Sequence, residues 1–434
     1  MQRREPILLL QIYRGERSPV LSDPSSHAAA AQLDGSPARH YYAGHRLARA
    51  VSVDDLRAMA HGRLPRFVLE YLEGGAEEEA SLARERDAFA GWWFMPRQLV
   101  DVSHRSVTAE VLRKRASLPL AVAPTGLNAL FWPHADIALA QAAARFGVPF
   151  TQSTMSNDAM EDVAKVPGLR HWWQLYVFGG DEVWQELLRR ADAAGCEALL
   201  LTTNAQIFGN REWSTRTMAT RTRPSIATAL DALWHGRWFA STLLRERGLP
   251  TFHNIIDFVP KDSRGFFESA FWVRDHQPQS LSWATVDKIR RRWRKPLFLK
   301  GILNLDDVRR SVDAGVDGIV LGTHGGRQLD WAVSGLDLLP AARDIVPDRI
   351  ALHVSGGVRR GTDLLKAMAL GADAVLAGRA VLYGVCAAGA EGAYKALQIL
   401  QQEADEALGL LGARGVRDLG GLLTRLPLCR RAGS

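Results

Sequence analysis

Cysteine is scarce in this sequence and long apolar runs are missing; each absence closes off a class of protein. Three cysteines, Cys196, Cys386 and Cys429, lie far apart in 434 residues, which supports neither a disulfide framework nor a zinc site. A metal is therefore not expected, and a reducing cytoplasm is the expected location. No stretch of about 18 apolar residues occurs, so no helix is expected to span a membrane. The N-terminal MQRREPILLLQIYRGER is basic, but its apolar stretch is too short and too interrupted for a secretory signal. Residues 1–50, rich in Ser, Ala, Pro and Arg without periodicity, are expected to form a loosely ordered extension. The formal charge is +7, from 54 Lys and Arg against 47 Asp and Glu. Because that excess is mild, it suits small anionic substrates, phosphates or an anionic membrane surface, and no nucleic-acid partner is expected.

With 47% apolar residues the chain can bury a large core. From about residue 118 onward, short apolar or β-branched runs alternate with amphipathic stretches, the pattern of repeated βα units. The spacing predicts strands over 118–124, 148–154, 170–177, 197–203, 296–302, 318–324, 351–357 and 374–380. Eight such units close most simply into a (β/α)8 TIM barrel, α/β in class, spanning 51–425, whose reacting groups sit at the C-terminal strand ends. Polar, glycine-rich and charged residues collect at those ends. Upstream, SVDDLRAMAHGRLPRFVLEYLEGGAEEEASLARERDAF begins with a Ser-x-x-Asp capping pattern and predicts a pair of helices joined at Gly74-Gly75. One connection, 205–281, is far longer than the others and is expected to be functional. Within it, 225–250 interleaves Trp234, Trp238, Phe239, Leu243 and Leu244 with Arg237, Arg245 and Arg247. Such a helix suits a lid over the barrel mouth or an interfacial membrane contact.

The segment LGTHGGRQLD, 321–330, carries the most chemistry. His324 and Arg327 stand at a strand end, joined by two glycines that let the backbone approach a flat ligand. An imidazole beside a guanidinium suits removal of a proton from an anionic substrate, with His324 as base and Arg327 forked onto a carboxylate. GNRE, 209–212, supplies Arg211 after the fourth strand. Ser355-Gly356-Gly357-Val358-Arg359 and Gly378-Arg379 follow the seventh and eighth strands, where barrels often hold a phosphate on backbone N–H groups. Lys300 ends an otherwise apolar strand and is costly to bury without an anionic partner.

Together the motifs YLEGGAEEE, LAVAPTGLNALFWP, WQLYV, LTTNAQIFGNRE, LFLKGI, THGGRQLD, SGGVRRGTD and AVLAGRAVLYG make 52–420 resemble the FMN-dependent 2-hydroxy-acid dehydrogenases and oxidases. That family includes glycolate oxidase and lactate dehydrogenase, and the likeness is greatest to its mandelate dehydrogenase branch. The resemblance implies FMN held by Pro124, Thr125, Gly126, Ser153, Gln174, Thr202, Lys300, Gly322, Ser355, Gly356, Gly357, Arg359, Gly378 and Arg379. It implies a 2-hydroxy acid bound by Tyr71, Tyr176, Arg211, His324 and Arg327, with His324 as the base. It also implies a homo-oligomer, and an electron acceptor that could be oxygen, a quinone or a cytochrome. For this branch it implies a peripheral seat on the inner face of the cell membrane. Gly126 stands where shorter-chain members carry alanine, which implies room above the flavin for an aryl group. Four positions depart from the family pattern: Asn204 replaces an aspartate that supports the imidazole, Gly322 a serine, Thr323 an asparagine and Ser355 an aspartate. Those departures motivate one alternative, a flavin-binding protein with weak or lost catalysis. A second, oxidative decarboxylation or isomerisation on an FMN barrel, is disfavoured because both arginines are present.

Overall fold

In the computed structural model, which describes residues 38–220, 222–244, 248–249 and 251–425, eight parallel strands close on themselves. They are β1 (Leu120–Val122), β2 (Phe150–Ser153), β3 (His171–Leu175), β4 (Ala198–Thr202), β5 (Leu297–Ile302), β6 (Gly318–Leu321), β7 (Ala351–Ser355) and β8 (Ala374–Ala377). Each pairs with its neighbour in the chain, and β8 pairs with β1 through Val375 opposite Leu120. All eight lie within the ranges expected from sequence, and the barrel is a (β/α)8 TIM barrel. Several strands end earlier than expected. β6 stops at Leu321 because His324, Gly325 and Gly326 all take positive φ, and β7 stops where Gly356 and Gly357 do the same.

The barrel interior is filled rather than hollow. Trp172 stacks on Phe298 with ring centroids 5.5 Å apart and also on His353, whose ring is tilted against Phe298. Burying aromatic rings of this size contributes roughly 2–3 kcal/mol each, so the lower half of the barrel is a rigid floor under the rim.

Upstream of β1, three helices stand where two were expected: Val53–His61, Arg66–Glu73 and Ala80–Ala90. The extra break falls at Pro65, which lacks an N–H and disfavours helix at Leu64 before it. The Ser52–Asp55 capping box forms as its spacing predicts, with Asp55 N–H donating to Ser52 Oγ at 3.1 Å. Residues 1–37 of the expected extension lie outside the described residues.

The long connection after β4 differs from a single amphipathic helix. Ser225 caps a helix over Ile226–Trp234, His235 departs from helical geometry, and a π-helical turn follows at Phe239–Leu244. The break sorts the aromatics. Trp238 is buried, its indole N–H donating to Leu130 O at 2.6 Å and its ring edge-on to Phe67. By contrast Ile226, Leu230, Leu233 and Trp234 are exposed, Trp234 by 89%, and their spacing puts them on one face. A second helix, Phe266–Asp275, gave no distinct signal in the sequence. Arg245 and Arg247 lie outside the described residues.

Candidate functional site

A cavity of about 730 Å3 opens at the C-terminal ends of the strands, roofed by the connection after β4. His324, Arg327, Arg211, Tyr71 and Tyr176, which the sequence separates by up to 256 residues, all line it. The seat of His324 is set by backbone: three successive left-handed residues, with φ of 63°, 70° and 73° at His324, Gly325 and Gly326, fold the chain back beneath the imidazole. His324 Nε2 lies 3.0 Å from Tyr176 Oη and its Nδ1 lies 3.4 Å from Asn204 Oδ1. An amide oxygen only accepts, so that contact favours the tautomer with hydrogen on Nδ1, and the Nε2 lone pair then accepts from the Tyr176 hydroxyl.

Arg327 donates through Nη1 to Tyr71 O and Gly74 O, both at 2.7 Å, while Nη2 is buried without a partner among the described residues. That orphaned donor suits a planar anion. Arg211 is held more loosely, at 3.4 Å from Arg327 O and 3.3 Å from Gln328 Oε1. Gln328 in turn donates to Asn204 O and Ile207 O, tying the arginine to the base of the long connection. Tyr71 Oη donates to Gly126 O at 3.1 Å.

Of the residues expected to hold a cofactor, Pro124, Thr125, Gly126, Ser153, Lys300, Ser355, Gly356, Gly357, Arg359, Gly378 and Arg379 line the same cavity. Gln174, Thr202 and Gly322 stand behind the wall. Ser153 Oγ donates to Gln174 Oε1, and Gln174 Nε2 donates to Thr202 Oγ1, so those three form a relay across β2, β3 and β4. Gly322 is crowded by Ser355, whose carbonyl oxygen would lie 2.4 Å from a Cβ there. Gly126 differs from expectation: a Cβ would meet Met155 Cβ at 2.8 Å, so the room it frees is taken up by that side chain. The guanidinium of Arg379 is also committed, donating to Leu72 O, Gly325 O and Gly74 O. What remains free there for an anion is the N-terminus of the helix beginning at Arg379, whose first N–H groups have no intrahelical partner.

The electrostatics are one-sided. Burial first, then Lys300, Arg211, Arg327 and Arg379, drive the His324 pKa well below the ordinary histidine value, so the free imidazole is neutral. Burial pulls Lys300 down to about 8, with Glu85 opposing, and among the described residues no acceptor stands within hydrogen-bond distance of its Nζ. Burial also lowers Arg211 and Arg327. Four cations around a neutral base bind anions and raise the energy of an imidazolium unless a bound anion offsets it.

The sequence did not single out the apolar wall, built by Leu130, Phe131, Met155, Phe208, Phe267 and Phe271. Nor did it single out Glu85, which is 2% exposed and bonded to Thr323. Phe267 and Phe271 are four apart on one helix, a spacing that could have pointed to a wall; an acid flanked by Arg84, Arg86 and Asp87 carried no such signal.

The chain is 39% identical over 372 residues to the (S)-mandelate dehydrogenase of Pseudomonas putida, covering 85% of this chain and 92% of that one. It is 36% identical to the 4-hydroxymandelate oxidase of Amycolatopsis orientalis, over 87% and 98% of the two chains. A crystal structure described as the monotopic membrane protein (S)-mandelate dehydrogenase superposes with a TM-score of 0.82 at 37% identity, over 87% of this chain and all of that one. Residues 60–425 match the family described as FMN-dependent dehydrogenase, and the chain belongs to that family.

Proposed function

We propose that this chain oxidises an (S)-2-hydroxy acid with a large, aromatic side group, such as a mandelate, to the corresponding 2-keto acid. The observation that carries the proposal is the convergence of His324, Arg211 and Arg327 on one cavity with Tyr71, Tyr176 and Lys300. The residues present fit FMN: among the described residues Thr125 Oγ1 is buried without a partner and Lys300 is buried without an acceptor, and Gly356 and Gly357 bring bare backbone to the cavity wall. Pro124, Thr125, Gly126, Ser153 and Lys300 would hold the ring. Ser355 through Arg359 and the N–H groups at Gly378 and Arg379 would hold the phosphate end, with Gln174, Thr202 and Gly322 supporting from behind. Bound FMN supplies the two-electron acceptor.

The chain's own residues do the rest. Arg327 Nη2 and Arg211 fix the substrate carboxylate, and Tyr71 and Tyr176 orient the carboxylate and hydroxyl. His324 Nε2 accepts the proton as the substrate is oxidised, and the substrate carboxylate offsets the new imidazolium charge. Lys300 stabilises negative charge that develops opposite it. Support for an aromatic substituent comes from the apolar wall and from the names of the two relatives. The test is anaerobic addition of (S)-mandelate to the yellow holoprotein, which is expected to bleach the flavin band within minutes and faster than lactate does. A band that persists with every 2-hydroxy acid offered would overturn oxidation and favour a flavin-binding protein whose catalysis was lost with the aspartate replaced by Asn204.

A peripheral membrane seat through 225–250 belongs to the same proposal. It is supported by the exposed stripe of Ile226, Leu230, Leu233 and Trp234 and by the description of the relative as monotopic. No helix among the described residues is long and apolar enough to cross a membrane. Wild-type protein should sediment with vesicles of anionic phospholipid, and the double change Leu230→Glu, Trp234→Glu should reduce the bound fraction at least tenfold. Equal sedimentation of the two proteins would exclude this face as the contact.

A further inference from the structure

Glu85 is a buried acid that the chemistry above leaves unused. It comes from the helix Ala80–Ala90, outside the barrel, and reaches the loop after β6. The Thr323 hydroxyl donates to its Oε1 at 2.5 Å and the Thr323 N–H does so at 3.4 Å. Thr323 Oγ1 also accepts from the N–H of Gly326 at 2.8 Å. A continuous path therefore runs from Glu85 through Thr323 to both ends of the left-handed run that seats His324.

The second carboxyl oxygen, Oε2, is buried and has no partner among the described residues. It lies against Gly356, where a Cβ would fall 2.2 Å from it. Gly356 lines the cavity with Lys300 and Arg379, so a single glycine backbone separates this oxygen from the expected place of the cofactor. Lys300 and Arg379 are the cations that favour its charged form, and Asp337 is the nearby anion that opposes it. Burial outweighs those cations and pushes the carboxyl up to about 7.

We propose that Glu85 is a positioning residue of the flavin site, anchoring the His324 loop through Thr323 and setting how much positive charge Lys300 presents to the cofactor. Glu85→Gln keeps an acceptor for Thr323 and removes the charge. With that charge gone the field of Lys300 is less compensated, and the reduced, more negative ring is favoured. The holoprotein carrying Glu85→Gln should show a higher two-electron midpoint potential at pH 8 in dye-equilibrated titrations with dithionite. The expected change in the reduced-to-oxidised ratio at fixed potential is about tenfold, or about 30 mV. Thr323→Val leaves the carboxyl in place but removes its strongest donor, and should shift the potential in the same direction. No hydroxy acid enters the measurement, so it stands apart from the substrate assignment. A wild-type potential in Glu85→Gln would overturn the proposal; if that variant fails to hold FMN, a wild-type potential in Thr323→Val overturns it instead.

Discussion

Replacing His324 with alanine is expected to slow flavin bleaching by (S)-mandelate by about 10²- to 10⁴-fold while FMN stays bound, the usual loss when a general base is removed. The separation of effects follows from position: His324 lines the cavity with Nε2 against Tyr176 Oη and takes no part in the Ser153–Gln174–Thr202 relay or the glycine loops after β7. Stopped-flow absorbance under nitrogen measures the rate, and the flavin content of the purified variant measures retention. A variant that loses FMN, or that bleaches at the wild-type rate, would remove His324 from the role assigned to it. The pH dependence supplies a second check. The depressed pKa keeps the imidazole unprotonated through neutrality, so kcat/KM should stay flat as pH falls past 6.5 and decline only in more acidic solution.

The opposite direction is expected at Asn204. Asn204→Asp would place a carboxylate at the position 3.4 Å from His324 Nδ1, amid four cations that otherwise penalise the protonated ring. An amide in place of the carboxylate partner costs triad hydrolases about 10⁴-fold, and restoring the charge should return part of that, about 10- to 1,000-fold in the rate of flavin reduction. The sign of the pH shift is fixed. A negative neighbour raises the imidazole pKa, so the acid limb of kcat/KM should move toward neutrality in the variant. An unchanged rate with a shifted limb would mean that charge support at Nδ1 does not limit turnover. Unchanged behaviour in both would mean that the contact is not made in the working enzyme.

Much of this architecture was legible in the residues because βα repetition leaves a strong imprint: the eight strands are short, apolar and punctuated by glycine, and the rim residues interrupt them at recurring places. His324 and Arg327 were legible for a related reason, since polar and charged groups at an apolar strand end need a purpose, whereas Arg211, in the loop beyond β4, was marked out only by the family resemblance. Other features depend on tertiary partners. Pro65 could have warned of the third helix, but the helix break at His235 and the inward turn of Trp238 are decided by packing on Leu130 and Phe67. Gly126 suggested free space, whereas Met155, 29 positions on, occupies it. Glu85 stood among Arg84, Arg86 and Asp87 as an ordinary solvent-facing acid would, and only its contact with Thr323, 238 residues away, separates it from them.

The left-handed seat at position 324 also narrows which side chains could ever serve there. Among non-glycine residues that conformation is tolerated chiefly by asparagine, aspartate and histidine, and of these only the last two can take up a proton. In a pocket ringed by arginine and lysine, an aspartate would sit ionised at neutral pH as a weak acceptor locked in an ion pair. Backbone shape and local field thus arrive independently at the same amino acid, which leaves this position little freedom to drift without loss of the chemistry.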